Sequence, residues 1–263
     1  MQELQLVTVG NVLLGGTTKP VAIVALDSQN NPCKYILKLF TEKQIEQGIS
    51  VAKEIVCCEL AQHFNLICPD YGVLNFDHLE IKDLYDSERI LSLDKGYKFC
   101  SKFVEQSVIF NPLVTNSFLK DYDAASIFAF DFLIYNIDRG GVRNKPNLLI
   151  NDEVFLLIDH ELTFPFVDTD QVLSYESYLR NYPFKHHVLY KYLKSLRNKE
   201  HLFDEFLEML KLLNINELNS IFDGLEAYNI PHRDRNKFIE YLAWAKQNVA
   251  IFERLLKWMI NGY

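Results

Sequence analysis

Three oxygen-bearing side chains stand between segments whose apolar character marks them as buried. Asp138 lies in a polar loop, Asn147 closes that loop, and Asp159 follows the next apolar run. We expect residues 148–158 to form a β-hairpin with its turn at Asn151-Asp152. Asn147 and Asp159 then lie near the same open end, and Asp138 lies on the loop that leads to it. Because such oxygen donors suit Mg²⁺ with nucleotide phosphates better than zinc, the spacing predicts a magnesium and phosphate site.

A lone cation lies in an apolar segment nearer the start of the chain. Lys38 stands within residues 35–40, which otherwise read as a buried strand, and a buried lysine needs a partner for its charge. Glu54 and Glu59 are the candidates, since both belong to residues 50–65, where apolar positions follow a helical period. A helical wheel places Glu54 at the border of the apolar face and Glu59 largely away from it. We predict a Lys38–Glu54 pair; an edge-strand lysine that reaches solvent is the alternative.

A glycine-containing turn precedes this segment. It consists of Gly15, Gly16, Thr17, Thr18 and Lys19, between two strand-like runs. Small residues, backbone N–H groups and a cation are what a loop that covers phosphates needs. The turn matches neither the G-x-G-x-x-G pattern nor a Walker A sequence, so an ordinary hairpin turn is the alternative.

The elements around these residues predict an α+β fold. The first forty residues read as strands, and the chain beyond residue 170 reads as helical. A helix predicted at residues 121–135 is apolar on nearly all sides, which is typical of a buried helix. Further helices are predicted at residues 204–213, 216–228 and 234–260.

Composition argues against several classes of protein. Of the 263 residues, 49% are hydrophobic and 24% charged, which is typical of globular chains. With 27 Lys and Arg against 35 Asp and Glu, the formal net charge is −8, so we expect no direct binding to nucleic acid. The amino terminus has no secretory pattern and no apolar run reaches the about 20 residues of a membrane helix, so we expect no membrane binding. The 5 cysteines lack metal-ligand spacing and favour a reduced, cytoplasmic protein.

Three short motifs give the chain a family resemblance. They are Asn136-Ile137-Asp138-Arg139, Pro146-Asn147-Leu148-Leu149 and Leu157-Ile158-Asp159-His160. With them the sequence resembles the HipA-like kinases, which are distantly related to protein kinases and phosphatidylinositol kinases. The resemblance implies that Asp138 is the catalytic base, that Asn147 and Asp159 are metal ligands, and that the cofactors are ATP and Mg²⁺.

The resemblance also implies a layout for the whole chain. It implies a bilobed, protein-kinase-like α+β fold with a β-rich ATP-binding lobe over residues 1–103 and a mainly helical lobe over residues 104–263. The glycine-containing turn then covers the phosphates, and the Lys38–Glu54 pair has its counterpart in protein kinases. Cys100, Ser101, Lys102 and Phe103 resemble the segment between lobes whose backbone holds adenine.

Two positions depart from the family pattern. Asn147 follows Asp138 by nine positions, whereas protein kinases place the equivalent asparagine about five positions after the aspartate. Asn144 is therefore a rival metal ligand, and we prefer Asn147 because it directly precedes Leu148. Glu161 stands where related motifs carry glycine, which could restrict how the loop turns.

The substrate class is open at this point. The resemblance implies transfer of the γ-phosphoryl group to a Ser or Thr hydroxyl of a protein, and the better-known HipA proteins have an antitoxin as a partner protein. A small-molecule or lipid-headgroup kinase of the same fold is the second hypothesis. A pseudokinase that binds nucleotide or a partner is the third, supported by the long loop after Asp138 and by Glu161. An α+β binding module without kinase chemistry is the fourth.

Overall fold

The computed structural model describes residues 1–13, 18–140, 145–169 and 174–262. The chain divides into two compact units, and it passes between them more than once, first within the helix Ser50–Gln62. The division into lobes at residues 1–103 and 104–263 therefore stays a prediction. The first unit comprises Met1–Ile55, Pro69–Glu105 and Ile221–His232, and the second comprises Val56–Cys68, Gln106–Ser220 and Arg233–Tyr263.

An antiparallel sheet of five strands organises the first unit. Its order is β1-β2-β3-β5-β4, so the last strand in sequence lies between two earlier ones. In β2 the alternate residues Val21, Ile23 and Ala25 are buried and the residues between them are half-buried, which gives the sheet one face against a core. The strands are β1 (Gln5–Val12), β2 (Val21–Leu26), β3 (Pro32–Leu37), β4 (Tyr71–Leu74) and β5 (Lys98–Lys102).

Three helices accompany this sheet. They are α1 (Glu42–Gly48), α2 (Ser50–Gln62), whose later residues belong to the second unit, and α3 (Ser87–Ser92). A capping box starts α1, since the Thr41 hydroxyl accepts from the Gln44 amide at 3.2 Å and the Gln44 side chain accepts from the Thr41 amide at 2.9 Å. The helix-like period at residues 50–65 is confirmed by α2.

A buried helix and a small sheet form the centre of the second unit. The helix α4 (Ala124–Leu133) begins at Asp123, which accepts from the Ser126 amide, and nearly all its residues are buried, as its apolar surface predicts. The sheet has the order β6-β7-β8, with strands β6 (Val108–Ile109), β7 (Leu148–Ile150) and β8 (Phe155–Leu157). The predicted hairpin is confirmed, because β7 and β8 pair antiparallel through Leu148↔Leu157, Leu149↔Leu156 and Ile150↔Phe155.

The rest of the described chain is mostly helical. The predicted helix at residues 234–260 is wrong in one respect, since it is two helices that meet at Asn248. The amide and the side chain of Asn248 both donate to carbonyl oxygens of the preceding turn, so this residue caps one helix and starts the next. Among the described residues, every helix is too short or too polar to span a bilayer. The helices are α5 (Tyr175–Leu179), α6 (Tyr190–Ser195), α7 (Asp204–Leu212), α8 (Ile215–Ala227), α9 (Arg235–Gln247) and α10 (Val249–Asn261).

Candidate active site

A buried ion pair in the first unit joins Lys38 to Glu54. Lys38 follows the last residue of β3, and its ammonium group donates to the Glu54 carboxylate on α2. The exposed fraction is 9% for Lys38 and 1% for Glu54, so the two charges are shielded from water together. The choice of Glu54 over Glu59 as the partner is confirmed, and the role of the pair in nucleotide binding stays a prediction.

The predicted phosphate loop is described only at its carboxyl end. Gly15, Gly16 and Thr17 lie outside the described residues. Thr18 is buried, whereas Lys19 is exposed and has a left-handed backbone with φ of 46°.

Two side chains that the sequence analysis missed hold this end of the loop. The Arg89 guanidinium on α3 donates to the carbonyl oxygen of Thr18 at 3.2 Å and to that of Leu39 at 2.7 Å. The Tyr85 hydroxyl donates to the carbonyl oxygen of Lys19 at 2.5 Å. Arg89 therefore ties the loop to the residue that follows Lys38. No periodic pattern marks this charged segment, so its role had no signal in the sequence.

The predicted adenine-binding segment lies at the end of β5. Residues 100–102 lie in β5, which pairs with β3 on one side and with β4 on the other. Cys100 is buried in the hydrophobic core of the unit. The amide groups of Lys102 and Phe103 donate to carbonyl oxygens of the first unit at 2.7 and 2.9 Å. The role of this segment in adenine binding stays a prediction. Because β5 inserts between strands distant in sequence, no local pattern identifies it as central.

In the second unit, the open end of the hairpin brings Asn147 and Asp159 together. The Ile158 amide donates to the carbonyl oxygen of Asn147 at 3.3 Å, so Asn147 precedes one strand directly opposite the end of the other. This placement was predicted and is confirmed. Both residues have left-handed backbones, with φ of 46° for Asn147 and 66° for Asp159, a conformation that asparagine and aspartate tolerate better than most residues.

Asn147 also contacts Asp138 directly. Its amide nitrogen Nδ2 donates to the backbone oxygen of Asp138 at 3.2 Å and to the carboxylate oxygen Oδ2 at 3.0 Å. Because Nδ2 is used in this way, the side-chain oxygen Oδ1 of Asn147 is the atom that can face a cation. The nine-residue spacing therefore still brings the asparagine to the aspartate. The rival ligand Asn144 lies outside the described residues.

Arg139 connects these residues to one another. It follows Asp138 in sequence and is 1% exposed. Its guanidinium group donates to the carbonyl oxygen of Asn147, to that of Ile158 at 3.4 Å, and to Nε2 of His160 at 3.2 Å. One buried side chain thus holds the backbone at Asn147 and Ile158 and the ring of His160. The motif contains Arg139, but the sequence analysis gave it no role.

The charge of Arg139 is balanced by Asp131 on α4. Oδ2 of Asp131 accepts from Nε of Arg139 at 2.5 Å and from Nε2 of His187 at 2.9 Å, and its Oδ1 accepts from Asn136 at 2.8 Å. The Leu189 amide donates to Nδ1 of His187, so His187 is a neutral ring with its proton on Nε2.

The electrostatics of this cluster follow from its geometry. Burial alone would raise the pKa of Asp131, but the charge of Arg139 and the hydrogen bond from His187 outweigh it and lower the pKa to about 2. Burial lowers the pKa of His187, which agrees with a neutral ring. Asp131 was missed by the sequence analysis, although a signal existed: it is the one charged residue in the apolar segment that forms α4.

Asn136 and Gly140 set the course of the loop around Asp138. The Asn136 side chain accepts from the Asp138 amide at 3.1 Å, which fixes the backbone just before the carboxylate. Gly140 has φ of 102°, and a Cβ atom there would lie 2.4 Å from the carbonyl oxygen of His186. A glycine is therefore required at this position.

Glu161 does not strain the loop after Asp159. Its φ is not positive, so the left-handed turn is made at Asp159 and needs no glycine two positions later. The departure from the family pattern at Glu161 thus has no cost in backbone conformation.

The second unit therefore gathers a carboxylate and two oxygen ligands of the kind that a hard cation prefers. Asn147 and Asp159 carry side-chain oxygen atoms of the kind that could hold a divalent metal ion, and Asp138 is held beside Asn147 by a direct hydrogen bond. This donor set fits phosphoryl transfer, where positioning and charge neutralisation supply most of the catalysis.

The chain is similar to known proteins in sequence and in fold. The sequence profile of the HipA-like kinase family matches residues 13–217. The crystal structure of a Helicobacter pylori proinflammatory kinase, CtkA, is similar to this chain, with a TM-score of 0.51 at 14% sequence identity. The match covers 98% of this chain and 97% of that chain. The complete CtTel1 dimer with C2 symmetry has a TM-score of 0.37 at 11% identity, over 94% of this chain and 11% of that chain. No curated protein matches the chain.

The likeness to CtkA concerns the fold alone at this level of identity, and it confirms the predicted α+β, kinase-like fold. The family match rests on sequence and extends over most of the chain, including the loop of Asp138 and the hairpin with Asn147 and Asp159. The chain belongs to the HipA-like kinase family.

Proposed function

We propose that this protein is an ATP- and Mg²⁺-dependent kinase that transfers the γ-phosphoryl group to a Ser or Thr hydroxyl of a protein. The observation that carries the proposal is the cluster in which Arg139 donates to the carbonyl oxygens of Asn147 and Ile158 and to the His160 ring, the two neighbours of Asp159. Membership in the HipA-like kinase family supports a kinase that uses ATP and a divalent metal.

The residues of the second unit divide the work of transfer. Bound Mg²⁺ would neutralise phosphate charge, and Asn147 Oδ1 and the Asp159 carboxylate are the groups that would hold it. Asp138 orients the attacking hydroxyl and accepts its proton, and the hydrogen bond from Asn147 keeps its carboxylate in place. Arg139 holds the backbone at Asn147 and at Ile158, the residue before Asp159, without touching the reacting groups.

The first unit supplies groups suited to the nucleotide. Lys38 is oriented by its ion pair with Glu54 and would contact the phosphates. Thr18 and Lys19 stand at the end of the glycine-containing turn, where backbone groups and a cation suit an anion. Gly15, Gly16 and Thr17 complete the proposed phosphate loop.

Partner and location extend the same proposal. By family resemblance we propose an antitoxin-like protein as a partner and a cytoplasmic protein that binds neither nucleic acid nor membrane directly. The net charge of −8 agrees with the absence of nucleic acid binding. A protein substrate is favoured over a lipid headgroup because the sequence has no basic membrane-binding run.

Nucleotide binding is tested by thermal and chemical unfolding with and without Mg²⁺·ATP. Ligand at about 100 times its Kd should stabilise the wild type by about 2.7 kcal/mol. The variant Asp159→Asn should lose most of this gain, because it keeps a residue that tolerates the left-handed backbone but removes a ligand charge. Asp152→Asn is the matched control, since Asp152 is exposed in the turn of the same hairpin and should retain the full gain.

Transfer is tested with labelled ATP and a bacterial lysate, with Asp138→Ala beside the wild type. We expect label in protein Ser or Thr residues, lost in the variant. Label found only in small molecules would refute the protein substrate and favour the small-molecule kinase. Binding of Mg²⁺·ATP without any transfer would favour the pseudokinase, and no stabilisation by Mg²⁺·ATP in wild type would refute the nucleotide site altogether.

A further inference from the structure

Two cysteines and a histidine meet beside the candidate metal loop. Cys58 lies on α2, Cys68 lies six residues beyond the end of that helix, and His160 follows Asp159. Their sulfur and ring nitrogen atoms all lie within 4.8 Å of one another. Cys58 is 4% exposed, His160 is fully buried and Cys68 is half-buried, so the cluster opens to solvent at Cys68. All three residues belong to the second unit.

The neighbouring Cys57 does not take part. Its sulfur lies 3.4 Å from the hydroxyl oxygen of Thr163, in a different direction from Cys58, as expected for adjacent residues of a helix. The adjacent cysteines of the sequence are thus separated, and Cys58 meets a cysteine ten positions further on.

The direction of the hydrogen bonds decides what this cluster can do. The guanidinium of Arg139 can only donate, so Nε2 of His160 must accept from it. The neutral ring then carries its proton on Nδ1. The sulfur atoms of Cys58 and Cys68 lie within 4.8 Å of each other and of a ring nitrogen of His160. Arg139 is therefore in contact with His160, which in turn lies beside the two thiols.

This direction disfavours a metal ion in the cluster. Coordination by His160 would need a lone pair on Nδ1, and the other ring nitrogen would then carry the proton. That proton would point at the guanidinium of Arg139, which has no acceptor. A metal would thus require Arg139 and His160 to give up their hydrogen bond, whereas two neighbouring thiols need no such change.

We propose that Cys58 and Cys68 form a reversible oxidation site that closes to a disulfide on reaction with a peroxide. In the first step the Cys68 sulfur attacks the peroxide, which leaves sulfenic acid on Cys68 and releases one water when the oxidant is H₂O₂. In the second step the sulfur of Cys58 displaces that hydroxyl group, forming the S–S bond and releasing a second water. Sulfur is oxidised and peroxide is reduced, and a dithiol reverses the reaction. The half-buried Cys68 reacts first because the oxidant reaches it from solvent.

The disulfide would also change the contact made to His160. Cys58 loses its thiol proton, and its sulfur becomes part of a covalent link between α2 and the segment at Cys68. His160 is hydrogen-bonded to Arg139 and directly follows Asp159 in sequence. We therefore expect oxidation to weaken Mg²⁺·ATP binding about tenfold, which is about 1.4 kcal/mol of binding free energy. This consequence rests on the proposed function, whereas the disulfide itself does not.

The covalent link is tested by peptide mapping of the full chain. A protease that cleaves after glutamate cuts at Glu59 and so separates Cys58 from Cys68. After H₂O₂ treatment and blocking of free thiols, we expect the two peptides to be detected as one disulfide-linked species. Its mass should be two hydrogen atoms below the sum of the two peptides, and dithiothreitol should separate them. Cys68→Ser and Cys58→Ser should each abolish the link. Cys57→Ser is the matched control and should retain it.

Three results would overturn the proposal. Oxidation without the joined peptides is one, and a joined peptide that persists in Cys58→Ser is another. The third is binding of one equivalent of added Zn²⁺ that protects the thiols of the wild type from alkylation and is lost in both serine variants, since it would mark a metal site. If the link forms but Mg²⁺·ATP stabilises reduced and oxidised protein equally, the regulatory consequence fails alone. If ATP never binds, the proposed function fails while the mapping result stands.

Discussion

Replacing Asp131 with asparagine removes the carboxylate that balances the buried charge of Arg139. Both side chains are fully shielded, and the bond between them is 2.5 Å long. Breaking one partner of a buried pair costs about 3–5 kcal/mol because the other charge remains without compensation. The pKa of Asp131 gives a second measure, since a fall from 3.8 to about 2 corresponds to about 2–3 kcal/mol of stability at neutral pH. We expect Asp131→Asn to lower the free energy of unfolding by about 3 kcal/mol.

The loss should depend on pH in a defined direction. The folded-state pKa of Asp131 is lowered, so its contribution is complete above the ordinary value of 3.8 and is lost as pH falls toward about 2. The stability difference between wild type and Asp131→Asn should therefore be constant from pH 7 to 5 and shrink below pH 4. Urea unfolding at several pH values, followed by circular dichroism, measures this difference.

The variant Arg139→Met, alone and combined with Asp131→Asn in a double variant, separates the effect on stability from the effect on the position of the site residues. Arg139→Met alone should also be strongly destabilising, because it leaves Asp131 uncompensated. The double variant should be more stable than the two separate losses predict, by at least about 2 kcal/mol. It should not regain stabilisation by Mg²⁺·ATP, since the guanidinium group that donates to the Asn147 carbonyl oxygen has been removed. Additive losses in the double variant, or a loss below about 1 kcal/mol in Asp131→Asn, would refute the reasoning.

Three further outcomes are expected. Gly140→Ala should lower the unfolding free energy by about 2–4 kcal/mol in urea melts, because its Cβ would lie 2.4 Å from the His186 carbonyl oxygen; an unchanged midpoint would contradict this. Burial lowers the pKa of Lys98 to about 8 from 10.5, so the unfolded chain binds more protons between these values. The contribution of Lys98 to stability should therefore rise with pH over that window by up to about 3 kcal/mol, measured as the difference in unfolding free energy between wild type and Lys98→Met. Glu54→Gln should weaken ATP binding about tenfold, measured by calorimetry, because Lys38 loses its partner. Equal affinity of wild type and variant for ATP would refute a role of the Lys38–Glu54 pair in nucleotide binding.

Local patterns were sufficient for the parts of the site that local pairing creates. The hairpin follows from two apolar runs around a turn, and its register places Asn147 opposite the end of β8. The Lys38–Glu54 pair follows from the rule that a buried charge needs a partner, combined with the helical period that puts Glu54 at the edge of the apolar face.

The rest depends on contacts between residues far apart in sequence. His187 reaches Asp131 from 56 positions away, and Arg89 reaches Thr18 from 71 positions away, so neither leaves a periodic trace. The position of β5 between β3 and β4 is likewise a property of the assembled sheet. The break at Asn248 was missed because apolar residues continue at helical spacing on both sides of it.

The left-handed backbone at Asn147 and Asp159 has a consequence for how this family can change over time. Asparagine, aspartate and glycine are the residues that occupy this conformation at least cost. Asp159 can therefore be exchanged for asparagine or glycine through one nucleotide change without disturbing the turn. A lineage can lose the proposed metal ligand while keeping the fold, so inactive descendants should persist as folded proteins, and the residue types at these two positions should distinguish them from active ones.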